Sequence, residues 1–278
     1  MVSMTLSQKH QTLRDLIAAH ESALVCFSGG VDSTLLLRVA HDVLGDRCTA
    51  LIALSPTMAQ SEQRAALDLA RGIGVRCEIV DSHELSRPEF QSNPKDRCYY
   101  CKSELLTIAA PVAQRLGCKA ILLGTNVDDL GDYRPGLQAA KDHGACHPLL
   151  DAGLNKQEIR ELSKELGLST WDKPQLACLS SRFPYGTAIT AERLHQVDAF
   201  EEGLHALGFR QLRVRFHDEV ARVEVEPDAM PRALELRETI VKLGRKLGFT
   251  FVSLDLAGFS SGSLNQLIGI RPRAGASK

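Results

Sequence analysis

The chain has 278 residues, 44% of them hydrophobic and 24% charged, with 33 Lys and Arg against 34 Asp and Glu. That length and balance exclude a disulfide-stapled mini-domain, a disordered tail and a collagen-like repeat, and they leave room for two domains. A formal net charge of −1 provides no global attraction to nucleic acid or to an anionic membrane, so neither is the default partner.

No apolar run is long enough to span a bilayer, and the opening MVSMTLSQKH holds no contiguous apolar signal core. The expected location is the cytoplasm. In that reducing setting the eight Cys are expected to be core, metal-binding or reactive rather than disulfide-bonded.

In chain order, apolar periodicity predicts a helix over 13–19, a strand over 23–27 and a helix from 33 to about 44. The pattern repeats as strand 48–54, helix 59–72, strand 75–80, a helix from about 99 to 116 and strand 119–124. This alternation predicts an α/β domain, a parallel sheet with helices on both faces, whose ligand lies beyond the C-terminal ends of the strands. A further helix runs over 154–166, capped by Asn155 with Glu158 three residues on and stopped at Gly167. The stretch STWDKPQLACLSSRFPYGT, 169–187, reads as a long irregular loop and marks the domain junction. Beyond it a helix over 190–207, strands 211–216 and 220–225, a helix over 230–247 and a strand over 249–254 make a smaller α+β C-terminal domain. The expected division is 1–188, 189–270 and a polar tail, 271–278, that frays.

Ser28-Gly29-Gly30-Val31-Asp32-Ser33 lies between a β-run and a helix, so backbone N–H groups and a helix N-terminus converge there on an anion. Two glycines admit close approach of a phosphate, Ser28 and Ser33 add hydroxyl donors, and Asp32 is placed to hold magnesium or orient a ligand. The Walker lysine and the dinucleotide fingerprint are both absent, which implies a different nucleotide chemistry. These residues resemble the SGG-x-DS signature of the PP-loop ATP pyrophosphatases. That resemblance implies ATP as cofactor, adenylation of an oxygen and release of pyrophosphate.

Asn126, Asp128, Asp129 and Asp132, in GTNVDDLGDYRPG, follow a strand and precede a helix, where carboxylates can bind Mg2+. An Asn/Asp-rich loop that merely caps the next helix is the alternative. Arg213 and Arg215 share one strand face by period two, a twin guanidinium surface suited to a phosphate, or else a solvated face pairing with Glu224 or Glu226 across a hairpin.

GTNVDDLGDYRPG, ACLSSRFPYG (177–186) and RVRFH (213–217) together resemble the LarE family over most of the chain. The resemblance implies an ATP-dependent sulfur transferase of nickel-pincer nucleotide synthesis. Its small-molecule substrate would be pyridinium-3,5-biscarboxylic acid mononucleotide, adenylated on a carboxylate and converted to a thiocarboxylate. The resemblance favours substrate-phosphate binding for Arg213 and Arg215, with Arg182 in a similar role. A homo-oligomer is expected.

Cys26, Cys48, Cys77 and Cys118 fall in or beside strands and are expected in the core, while Cys146 is given no role. Cys98 and Cys101 form Cys-x-x-Cys at a helix start, and Cys178 lies in the irregular loop. The pair alone is compatible with zinc, a redox dithiol or an iron–sulfur cluster. Three thiolates would leave one iron of a [4Fe–4S] cluster open. The pattern is similar to cluster-bearing members of LarE and to some PP-loop RNA thiolases. Other LarE members instead surrender the sulfur of the loop cysteine, here Cys178, leaving dehydroalanine. A PP-loop tRNA thiolase, an ammonia-using amide ligase and a non-catalytic nucleotide sensor are the competing readings.

Overall fold

The computed structural model describes residues 4–131, 135–174 and 177–260. They group into two units, one of residues 4–84, 96–131 and 135–174, the other of 85–95 and 177–260. The division thus falls near residue 176, earlier than expected, and 85–95 is an excursion of the chain into the second unit. Asp132 and the tail 271–278 lie outside the described residues. Among those described, no helix is long and apolar enough to cross a membrane.

The first unit runs α1 (Leu6–Ala18), β1 (Ala23–Cys26), α2 (Val31–Leu44), β2 (Cys48–Leu54), α3 (Gln60–Ile73) and β3 (Arg76–Asp81). The chain then makes the short α4 (Pro88–Gln91) of the second unit and returns through α5 (Arg97–Leu116), β4 (Ala120–Leu122), α6 (Pro135–Asp142), α7 (Pro148–Asp151) and α8 (Lys156–Glu165). The strands form a parallel sheet in the order β3-β2-β1-β4.

Helices cover both faces, and strand alternation is the reason. Ala23, Val25 and Phe27 enter a core with Leu13 and Ile17 of α1, Leu35 and Leu36 of α2, and Ile159 of α8. Leu24 and Cys26, one register off, enter a second core with Leu106, Ala109 and Val112 of α5. Because β3 and β4 lie on opposite sides of the β2–β1 pair, the winding reverses beside β1. Such a switch point opens a crevice at the C-terminal ends of β1 and β4.

In the second unit α9 (Ala191–Ala206) precedes β5 (Leu212–His217), β6 (Val220–Val225), α10 (Met230–Glu235), α11 (Arg237–Lys246) and β7 (Phe251–Leu254). β5 and β6 are antiparallel, and β7 joins β6 in parallel. The helix expected over 230–247 is two helices, meeting at Leu236 with φ −89° and ψ 9°, outside the helical basin. The aromatic core joins Phe183 to Phe216 and Phe216 to Phe249, with ring centroids 5.1 and 5.9 Å apart. The excursion is tied in by the backbone: Gly186 N–H donates to Asn93 O at 3.0 Å and Ile189 N–H to Gln91 O at 2.9 Å.

Candidate functional site

The loop between β1 and α2 sits at the crevice. Gly30 starts α2 without a side-chain cap, so the first-turn N–H groups are left for an anion. Ser28 is exposed and Ser33 is buried. The two hydroxyls are 3.2 Å apart, and Ser33 Oγ also donates to Gly30 O at 3.1 Å. Gly29 has φ +71°, and a Cβ there would lie 3.0 Å from Ala66 Cβ on α3. Only glycine satisfies both the dihedral and the gap.

The loop after β4 closes on the same point. A Cβ on Gly124 would lie 3.0 Å from the Ser33 nitrogen, so the two backbones pass in near contact. Asn126 is fully buried and its Nδ2 donates to Asp32 Oδ1 at 3.3 Å. Its Oδ1 accepts from Asp128 N–H at 2.9 Å, and its own N–H donates to Asp129 Oδ2 at 3.0 Å. The structure therefore brings together Ser28, Gly29, Gly30, Asp32, Ser33, Asn126, Asp128 and Asp129. In it the Asp129 and Asp128 carboxylates accept the backbone N–H groups of Asn126 and Lys156.

Two lysines join the site that the motifs do not mark. Lys156 Nζ donates to both oxygens of Asp32, at 2.7 and 2.5 Å, while its backbone N–H donates to Asp128 Oδ2 at 2.7 Å. Lys173 Nζ donates to Gly29 O at 3.1 Å and to Glu62 Oε2 at 2.6 Å. A signal existed for Lys156 alone. It occupies the first position of α8, where the helix dipole disfavours a cation. Lys173 sits in an aperiodic loop with nothing to mark it.

In the second unit Arg182, Arg213 and Arg215 do converge. Arg182 is buried and gives Nε and Nη2 to Glu201 at 3.0 and 2.8 Å. Its Nη1 donates to Ala177 O at 2.7 Å and Cys178 O at 3.1 Å. Arg215 forks onto Glu224 at 2.9 and 2.8 Å and donates to Ser181 O at 2.9 Å. These two guanidinium groups are thus largely committed to carboxylates and to the Cys178 turn, and the cross-hairpin pairing holds for Arg215.

Arg213 differs. It stacks over Phe259 at 5.0 Å and donates to Leu212 O, and among the described residues it makes no ion pair. Burial, together with the neighbouring Arg182, lowers its pKa to about 10. A half-buried cation beside two others is the feature best suited to a phosphate.

Cys178 is exposed, its carbonyl held by Ser181 N–H at 2.9 Å as well as by Arg182. Cys98 and Cys101 lie in the first turns of α5, three residues apart and hence on one face, Cys98 exposed and Cys101 half-buried. Cys26 and Cys48 are core, with burial pushing their thiols up to about 11 and 12. Cys77 and Cys118 are half-buried, each with its pKa raised by burial. Among the described residues, no three His, Cys, Asp or Glu side chains are gathered as a metal site.

No family model matches the chain. It is 43% identical over 266 residues to an uncharacterised protein of Synechocystis, covering 95% of this chain and 99% of that one. It is 38% identical over 265 residues to the pyridinium-3,5-bisthiocarboxylic acid mononucleotide synthase of Lactiplantibacillus plantarum, covering 95% and 96%. A more distant likeness, 25% over 175 residues, links 59% of the chain to 56% of one component of the glutamine-hydrolysing GMP synthase of Thermococcus kodakarensis. With a four-stranded parallel sheet, an SGG-x-DS loop at its switch point and near-complete coverage of the Lactiplantibacillus synthase, the chain belongs to the LarE family of PP-loop sulfurtransferases.

Proposed function

We propose that the chain performs the reaction for which its Lactiplantibacillus relative is named, ATP-dependent sulfur transfer to pyridinium-3,5-biscarboxylic acid mononucleotide in nickel-pincer cofactor synthesis. The observation that carries this is the convergence, at one switch point, of the uncapped α2 start and the Asn126–Asp129 loop. The loop N–H groups and Ser28 and Ser33 bind the ATP polyphosphate. Asp32, with Asp128 or Asp129, presents hard oxygen donors that fit Mg2+, which takes one or two carboxylates and completes its shell with phosphate and water.

A substrate carboxylate oxygen attacks the α-phosphorus, and the bond to the β-phosphate oxygen breaks, releasing pyrophosphate. A sulfur nucleophile then adds to the acyl carbon. The C–O bond breaks, AMP leaves with the electron pair, and a thiocarboxylate remains. Arg213 holds the substrate phosphate, while Arg182 and Arg215, locked onto Glu201 and Glu224, keep the Cys178 turn in place.

For the sulfur source, the paired thiols of Cys98 and Cys101 on one helix face have the soft-donor chemistry that suits iron, and Cys178 would be the third ligand. A [4Fe–4S] cluster held there would supply an open iron able to carry sulfide. Protein purified without oxygen is expected to be brown, to contain iron and labile sulfide, and to lose both in Cys98→Ala. Given ATP, Mg2+ and the pyridinium dicarboxylate, it should yield AMP and a thioacid. Absence of both products overturns the reaction. Colourless, active protein whose Cys178 is lighter by one sulfur after a turnover replaces the cluster by sacrifice of that cysteine.

A further inference from the structure

Lys156 has a place in this site that the proposed reaction leaves unused. Its ammonium takes both oxygens of Asp32, at 2.7 and 2.5 Å. An ammonium on both oxygens opposes a dication on the same carboxylate, which Mg2+ would approach to roughly 2.0 Å, so the two cations compete for Asp32. Yet the pair is not a buried clamp. The two side chains keep 28% and 23% of their surface exposed, so the bond is water-accessible and exchangeable. The root of the side chain, by contrast, is fixed. The backbone N–H of Lys156 is bonded to Asp128, and Asn155 and Glu158 form a capping box around it. A cation at the first position of a helix works against the dipole, a local cost that points to a role outside the helix.

We infer that Lys156 is a positioning residue that alternates between two partners. It neutralises Asp32 while the site holds no metal, and it passes to the nucleotide phosphates when Mg2+ claims that carboxylate. This rests on the reading of the SGG loop as an ATP·Mg2+ site. No bond is made or broken in the exchange: one ion pair is traded for another, and the lysine stays charged.

The test uses the full chain, Lys156→Met, which keeps the aliphatic stem, and Lys156→Arg, which keeps the charge. Mn2+ binding without nucleotide is read by electron paramagnetic resonance, and binding of a non-hydrolysable ATP analogue with Mg2+ by calorimetry. Lys156→Met is expected to bind Mn2+ about tenfold more tightly and the analogue about tenfold more weakly, the scale of one charge-assisted hydrogen bond. Lys156→Arg is expected to recover nucleotide binding.

Both affinities falling together, both unchanged, or only one changing would overturn the inference. A wild-type chain that binds no analogue refutes the nucleotide reading itself. Should Lys156→Met not fold, acetylation of the wild type mapped by mass spectrometry decides. Lys156 should become more reactive with Mn2+ alone and be protected again by analogue plus metal. Reactivity unmoved by metal counts against the exchange.

Discussion

Arg182 and Arg213 answer differently to removal. Arg182→Ala strands the Glu201 carboxylate, which is almost fully enclosed, and should cost about 3–5 kcal/mol in a denaturant titration. Arg213→Ala deletes a cation with no carboxylate of its own among the described residues and a stacking contact worth about 0.5–1 kcal/mol. It should leave stability nearly intact while raising the KM for the mononucleotide. Gly29→Ala meets both a left-handed backbone and the methyl of Ala66, so a loss of about 1–2 kcal/mol is expected, with weakened ATP binding. The thiols sort in the same way. Under iodoacetamide Cys178 should be alkylated well before Cys26 and Cys48, which are buried and carry raised pKa values. The phosphate loop was legible from sequence because its glycines and hydroxyls act through neighbouring backbone, whereas Asp32 is held from other elements, by Asn126 and Lys156. For Lys156 only the misplaced charge at the start of α8 was legible; its partner lies in another element, and only the fold brings them together. Nor could spacing choose between phosphate and glutamate for Arg213 and Arg215. The two residues turn out to differ: Arg213 lies opposite Glu224 in the hairpin register but stacks over Phe259, and it is the diagonal Arg215 that forks onto Glu224.

Among the elements, the β-α alternation was readable because β1, β2 and β4 are short apolar runs and the helices between keep their own period. The order β3-β2-β1-β4 was not, since no local pattern records which edge a strand joins. The break at Leu236 was hidden for a similar reason: the apolar period continues through it while the backbone does not. The start of α8 invites its own test because it holds Lys156 in position. Asn155 accepts Glu158 N–H at 2.9 Å, and Glu158 reaches back to Asn155 N–H at 3.0 Å. Asn155→Ala should remove about 1 kcal/mol, measured by thermal melting, and weaken nucleotide binding more than that loss alone explains.

For the whole molecule, acid is the condition that should expose the marginal balance. His10, His147 and His217 each have a pKa lowered, first by burial, below the ordinary 6.5. Below that value the unfolded chain binds more protons than the folded one, so stability falls as pH drops from about 7 to about 5. A denaturant midpoint that rises over this interval on acidification would contradict the assignment. The division near residue 176 was partly legible, since an irregular loop marked it, but the excursion through 85–95 carried no compositional sign. That excursion has a consequence for biosynthesis. Phe90 and Asn93 are buried against a unit whose remaining chain begins only at residue 177, so the nascent peptide leaves the ribosome with this apolar knot unfinished. A gene fragment stopped near 176 should yield insoluble product unless 85–95 is replaced by a short polar bridge.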